Sequence, residues 1–291
     1  MDAMVRLERS LSENVNYNFS SYPAYIKKGL LSKYPNYAAV SHWHDDVEFI
    51  VTLSGRMQYN INGNIVWIEE GDGIFINARQ LHYGFSGEHQ ECEFICVLLH
   101  PLLLCSLPYI EQEYVEPIIS NHAFSYWLLD KDVDWENSVL ALLKEMYAAL
   151  DMDFPHLQIQ SLFCQVWSHL YEHAPKEQRQ SAKRYHQLSA LKDMIGYIQK
   201  HYNEKISLDD IALAGGVCKS RCCSLFGEYL NQTPNHYLTH YRLRKSIDLM
   251  HASDMTITEI SYEVGFSGAS YYAETFRKYF GCSPTGYREN C

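Results

Sequence analysis

No run of apolar residues in this chain of 291 approaches the ~20 that a membrane-crossing helix needs. The opening stretch "MDAMVRLERSLSENVNYNF" has mixed charge and no apolar core segment, so no secretory signal is expected. There are nine cysteines, an odd count, with no CxxC pair among them, which argues for reduced thiols in a cytoplasm over a disulfide framework. Charge is scarce as well. A 20% charged fraction against 47% apolar and 14% aromatic residues excludes a disordered chain and can fill real cores. A cytoplasmic globular protein, long enough for two domains and with no membrane partner, is therefore expected.

Net positive charge is also missing. A formal charge of −11 would speak against nucleic acid, but it is unevenly spread. Residues 1–184 hold 13 Lys/Arg against 24 Asp/Glu, which is the whole excess, while residues 185–291 hold 11 of each. The second part is free to carry local basic edges.

What is present changes character along the chain. Residues 40–100 alternate short β-rich runs with turns: "VEFIVTLSG", "MQYNINGNIVWIEEGDG", "IFINA" and "CEFICVLL", with hairpin signals at Asn62-Gly63 and Glu70–Gly73. This spacing predicts a sandwich or barrel. From about 135 the period becomes helical. Val139, Leu142, Leu143, Met146 and Leu150 form one stripe, and Leu162, Phe163, Val166, Trp167 and Leu170 form another. These stripes serve either their own domain or a dimer seam. "APKEQRQSAKRY", residues 174–185, reads as a linker. Beyond it helices are expected at 186–202, 208–215, 219–230, 235–250, 257–264 and 269–280, with a short end.

That helical half repeats itself. Phe226, Leu230, Thr233-Pro234 and Tyr237 recur 50 residues on as Phe276, Phe280, Ser283-Pro284 and Tyr287. Each copy has the parts of a helix-turn-helix. Ser207 with Asp210, and Thr256 with Glu259, make capping boxes for a first helix. Gly215-Gly216 and Gly265 supply the turns, and Cys218 and Ser267 are placed at the caps of the second helices. Cys222, Leu225 and Phe226, then Tyr272, Thr275 and Phe276, are the expected buried faces. Cys222 is expected to be a structural thiol and not a redox switch.

The stretch "TITEISYEVGFSGASYYAETFRKYFGCSPTGYR" resembles the C-terminal signature of the AraC/XylS transcriptional regulators, and "HYRLRKSIDLM" resembles their linker helix. The resemblance covers about 105 residues. It implies two helix-turn-helix units reading successive major-groove segments of double-stranded DNA. By position, the first recognition helix would expose Lys219, Ser220, Arg221, Cys223 and Ser224. The second would expose Gly268, Ala269, Ser270, Ala273 and Glu274, with Ser267 at its start. Arg277, Lys278 and Arg242 are candidates for phosphate contact. Glu274 stands where a basic residue is common. It could accept from cytosine N4, or simply face solvent.

In the first half, His42-x-His44-x3-Glu48-x6-Gly55 has the spacing of the first cupin motif, and Gly71-x5-Asn77, ending at His82, resembles the second. That motif ordinarily has proline and glycine where Asn77 and Arg79 stand. On a strand of period two, His42, His44, Asp46 and Glu48 would share one inward face. Two readings stay open: a divalent metal held by His42, His44, Glu48 and His82, or the same side chains hydrogen-bonded to one another in a metal-free pocket. His42, His44, Glu48, Tyr59, Trp67 and His82, with Trp43 and Tyr83 nearby, are the candidate effector contacts.

The expected whole is an α+β two-domain chain. Residues 1–173 form a cupin-like sensing and dimerisation domain, with a barrel at about 20–105 and helices at about 135–173. Residues 186–291 form an all-α DNA-binding domain with helix-turn-helix units at about 206–234 and 256–284. The expected function is a homodimeric transcriptional activator answering a small-molecule effector, a sugar by family analogy, with RNA polymerase as a further candidate partner. No cofactor is expected. The alternative is a metal-dependent cupin enzyme with a DNA-binding tail.

Overall fold

Alternation along "VEFIVTLSG" builds the first domain outward from strand β2, Val47–Gly55. Val47, Phe49 and Val51 face one side and join a core with the helices that follow, while Ile50 faces the other side and packs with the second sheet. The structure is a computed structural model describing residues 15–289, apart from 16, 20, 122 and 176–181. It divides into two compact units after Ala182.

In the first unit, strands β1 (Ala24–Leu30), β2, β3 (Met57–Ile61), β4 (Asn64–Ile68), β5 (Gly73–Ile76), β6 (His82–Phe85), β7 (Cys92–Leu99) and β8 (Tyr126–Leu129) form two antiparallel sheets. Their orders are β1-β7-β2-β5-β8 and β4-β3-β6. The expected runs at 47–55, 57–73, 74–78 and 92–99 hold strands β2, β3 with β4, β5 and β7. β1, β6 and β8 were not anticipated, and β8 takes the sheet well past residue 105. Helices α1 (Asp134–Ala148) and α2 (Pro155–His173) lay their stripes on the outer face of the five-stranded sheet. Leu140 joins the first stripe, where Leu142 is half-buried against the same core, and Ile159 extends the second. Each fully buried Phe or Leu there contributes roughly 1.5–3 kcal/mol. Both stripes are thus packed within their own domain.

Of the expected linker, 176–181 lies outside the described residues, and helix α3 (Ala182–His201) already includes its last residues. The N-terminal stretch up to Asn14 also lies outside them. The second unit continues with α4 (Leu208–Ala214), α5 (Lys219–Leu230), α6 (Pro234–Ala252), α7 (Ile257–Glu263), α8 (Ala269–Phe280) and α9 (Pro284–Glu289). Both capping boxes form. The Asp210 and Glu259 backbone N–H groups donate to the Ser207 and Thr256 hydroxyls at 3.3 and 3.2 Å, and both carboxylates accept from the cap N–H in return. Thr256→Ala is therefore expected to cost about 1 kcal/mol, seen as an earlier urea midpoint with an unchanged slope.

The second-helix caps differ from expectation. Cys218 caps α5 without a side-chain bond, but α8 is capped by Gly268, leaving Ser267 one residue outside. Cys222, Leu225 and Phe226 are buried, as are Tyr272 and Phe276. Thr275 is only half-buried, and its hydroxyl donates back to the Tyr271 carbonyl at 2.7 Å.

Candidate functional site

His42, His44, Glu48 and His82 do come together, though not by sharing a strand. β2 begins at Val47, so His42 and His44 lie in the irregular approach to it. His42 forms an isolated antiparallel bridge with His82, and the Arg79 N–H donates to the His44 carbonyl at 2.7 Å, so two loops are tied across the sheet edge. One potential ligand atom from each of the four side chains lies within 4.8 Å of all the others. His44, Glu48 and His82 are 98% or more buried.

The hydrogen bonds fix how the imidazoles point. His42 Nδ1 meets the Val40 carbonyl at 2.8 Å, His44 Nδ1 the Asp46 carbonyl at 3.0 Å, and His82 Nδ1 the Gln80 carbonyl at 2.8 Å. A carbonyl can only accept, so each Nδ1 carries its proton and each Nε2 is left to face the cluster. The Nε2 atoms of His44 and His82 lie 3.4 and 3.2 Å from Glu48 Oε2. The Tyr59 hydroxyl donates to the other oxygen, Oε1.

Burial alone would raise the Glu48 carboxyl, but the charge of His82 and the hydrogen bonds of His44 and His82 outweigh it and hold the group well below its ordinary range. Burial would lower His44, and its hydrogen bond and charge interaction with Glu48 turn that into a net rise. Tyr59 is pushed well above the phenol range by burial, then by the Glu48 charge.

This donor set fits a metal. Three imidazole nitrogens and one carboxylate oxygen suit a first-row divalent ion. The Nδ1–H bonds to carbonyls are the outer-shell arrangement that orients such ligands. His42, His44, Glu48 and His82 would hold the ion, which would supply a fixed positive charge between imidazoles and carboxylate.

Three other residues fall elsewhere. Trp67 pairs with Gln58 on the sheet face opposite Tyr59, is 41% exposed and is covered by the Arg56 guanidinium at 4.6 Å, so it does not line the cluster. Tyr83, opposite Asn60, shares that outer face. Asp46 turns away to accept from the Tyr17 hydroxyl at 2.9 Å. The departures from the second motif have local causes. The Asn77 amide bridges the Ile118 and Phe124 carbonyls at 2.8 and 3.0 Å, while Arg79 takes a left-handed φ of 62° and pairs with Asp45 at 2.6 Å.

In the second unit, α5 presents Lys219, Ser220, Cys223 and Ser224 to solvent, with Arg221 half-buried. Lys219 Nζ pairs with Asp209 at 2.8 Å, and Arg221 Nη1 donates to Ser224 Oγ at 3.3 Å and lies 3.8 Å from Glu228. Ser267, before α8, is exposed, as are Ser270, Glu274, Arg277 and Lys278 on it, with Gly268, Ala269 and Ala273 half-buried. Tyr271, 56% exposed beside Ser270 and Glu274, belongs to the same face. It is unassigned in the sequence reading, although position 271 is out of step with the buried Tyr272 and Phe276. Arg242 is spent inside the unit. Its guanidinium donates to the Tyr202 and Glu204 carbonyls at 2.6 and 2.7 Å, so it is a structural clamp and not an available phosphate contact. Burial of Cys222 pushes its thiol up to about 11, as suits a core residue.

Comparison with known proteins agrees with both halves. Residues 29–189 match the AraC-like ligand binding domain family, and residues 211–290 match a helix-turn-helix domain family. The HTH-type transcriptional regulator YdeC of Bacillus subtilis is 28% identical over 288 residues, 97% of each chain. The melibiose operon regulatory protein of Escherichia coli K12 is 22% identical over 93% of this chain and 90% of its own. Apo ToxT from Vibrio cholerae shares the two-domain fold, with a TM-score of 0.50 at 15% identity over 91% of this chain and 97% of that one. No described helix is long and apolar enough to cross a membrane. The metal-dependent enzyme alternative gives way to a family of regulators that are not enzymes. With a ligand-binding domain over the histidine cluster and a helix-turn-helix domain over the capped repeats, the chain belongs to the AraC/XylS family of DNA-binding transcriptional regulators.

Proposed function

We propose that this regulator is a homodimeric activator that answers a small effector taken up by its N-terminal domain and reads DNA with Lys219, Ser220, Arg221, Cys223 and Ser224 of one unit and Ser267, Ala269, Ser270, Tyr271 and Glu274 of the other. Arg277 and Lys278 would hold phosphates. The observation carrying this reading is the pair of capped helix-turn-helix units, each offering the outer face of a second helix. The effector acts by shifting the population of DNA-competent arrangements. The melibiose operon regulatory protein supports a sugar-type effector, and the HTH-type transcriptional activator RhaS of Shigella sonnei, 22% identical over 85% of this chain, supports activation; an activator would have RNA polymerase as a further partner.

A duplex selected by the full-length protein from a random pool, placed before a reporter gene, tests it. Transcription that rises with the protein and rises further with one member of a sugar panel supports the reading, and transcription that falls sinks the activator. The Lys219–Asp209 pair supplies a second check. Asp209→Asn removes an acid that competes with phosphate for Lys219, so affinity for the selected duplex should rise several-fold and its salt dependence should steepen. An unchanged gel shift would remove Lys219 from the interface.

A further inference from the structure

We propose that Tyr59 is a positioning residue that makes the histidine cluster a closed, four-coordinate centre for a zinc-type divalent ion, with Glu48 binding through Oε2 alone. This goes beyond the regulator reading and does not depend on it. The carboxylate has two oxygens, and the structure gives them different tasks. Oε1 accepts from the Tyr59 hydroxyl, while Oε2 faces the Nε2 atoms of His44 and His82. A carboxylate free at both oxygens could chelate and expand the shell toward the higher coordination that suits iron or manganese. Held by Tyr59 it offers one donor, and three imidazoles complete a set of four.

The two separations at Glu48 favour this arrangement over a metal-free ion pair, while the full set of four atoms, spanning up to 4.8 Å, would draw in around the ion. Imidazolium–carboxylate hydrogen bonds run at about 2.7–2.9 Å, and both contacts to Oε2 are longer, at 3.2 and 3.4 Å. Bonds of about 2.0–2.1 Å to a tetrahedral zinc give ligand-to-ligand edges of about 3.3–3.4 Å. With each Nδ1–H given to a carbonyl, Nε2 is the atom each ring has left to offer an ion. All four positions are then supplied by the protein, so the site holds the ion itself and offers no open position to an organic effector. The Tyr59 ring lies on the interior face of β3 with Ile61, and so locks the carboxylate from the opposite sheet.

Full-length protein stripped with a chelator and titrated with Co²⁺ tests this by visible absorption. The wild type should take one Co²⁺ per chain, displaceable by Zn²⁺, with the intense bands of a tetrahedral site. His42→Ala removes a half-buried ligand and should abolish that uptake with an unchanged circular dichroism spectrum. Tyr59→Phe should still bind one ion, about 10–100-fold more weakly, with the bands weakened and shifted as Glu48 chelates. Wild type without displaceable Co²⁺ uptake overturns the centre. A Tyr59→Phe spectrum identical to wild type overturns the role of Tyr59. A protein that selects a duplex but takes no Co²⁺ sinks the centre and leaves the regulator standing, and one that takes Co²⁺ but selects no duplex does the reverse.

Discussion

Gly265→Ala is expected to cost the DNA-binding unit about 2–5 kcal/mol, while Gly216→Ala at the matching turn costs only about 1–2. Both glycines have left-handed backbones, with φ of 87° and 62°, where a β-carbon is unfavourable by about 1–2 kcal/mol. They differ in what a β-carbon would meet. At Gly216 nothing lies within 4 Å. At Gly265 it would stand 2.8 Å from the Tyr202 carbonyl oxygen and 2.9 Å from both the carbonyl carbon and Cα of Asn203. Those are backbone atoms, and Arg242 holds the Tyr202 carbonyl by a hydrogen bond of 2.6 Å, so the loop has little room to yield. Urea titration of both variants, followed by circular dichroism at 222 nm, decides the matter. Equal losses would show that backbone conformation, and not the contact with the loop, sets the cost.

Glu48→Ala should be nearly as damaging to the N-terminal domain, at about 3–5 kcal/mol. The carboxylate is the common partner of the Tyr59 hydroxyl, His44 and His82, all buried. Removing it leaves a buried phenol without its acceptor and two rings whose charged form loses its counter-charge. The cost is read from urea unfolding in excess chelator, so that metal binding does not enter. A loss below about 1 kcal/mol would mean that water replaces the carboxylate and that the cluster is wetter than its burial implies.

The helical half was almost wholly legible because its signals are local. Capping boxes, turn glycines and the period of Phe226 and Phe276 each act within a few residues. The sheet half was legible in its strands and poor in its faces. His42 and His44 converge with Glu48 through a bridge to His82 and a loop bond from Arg79, both long-range, so period-two counting grouped these three by a wrong route and added Asp46, which turns away. Trp67 was misplaced because an aromatic strand residue reads as interior until the register of β3 and β4 is known. β8 was missed because "YWLL" is too short to stand out and finds its partner across some 50 residues. Arg242 looked like a surface cation because nothing in "HYRLRK" reveals the carbonyls of Tyr202 and Glu204.

That clamp bears on how the protein would measure distance along DNA. The Tyr202–Glu204 loop is gripped by Arg242 of α6, the helix joining the two reading units, and Gly265 of the second unit's turn is pressed against the same loop. The two heads therefore share one anchorage, like the jaws of a fixed-gap caliper. One base pair inserted between their half-sites rotates the second by about 34–36° around the duplex. A hinged protein would follow that rotation, and this one would have to give up one grip.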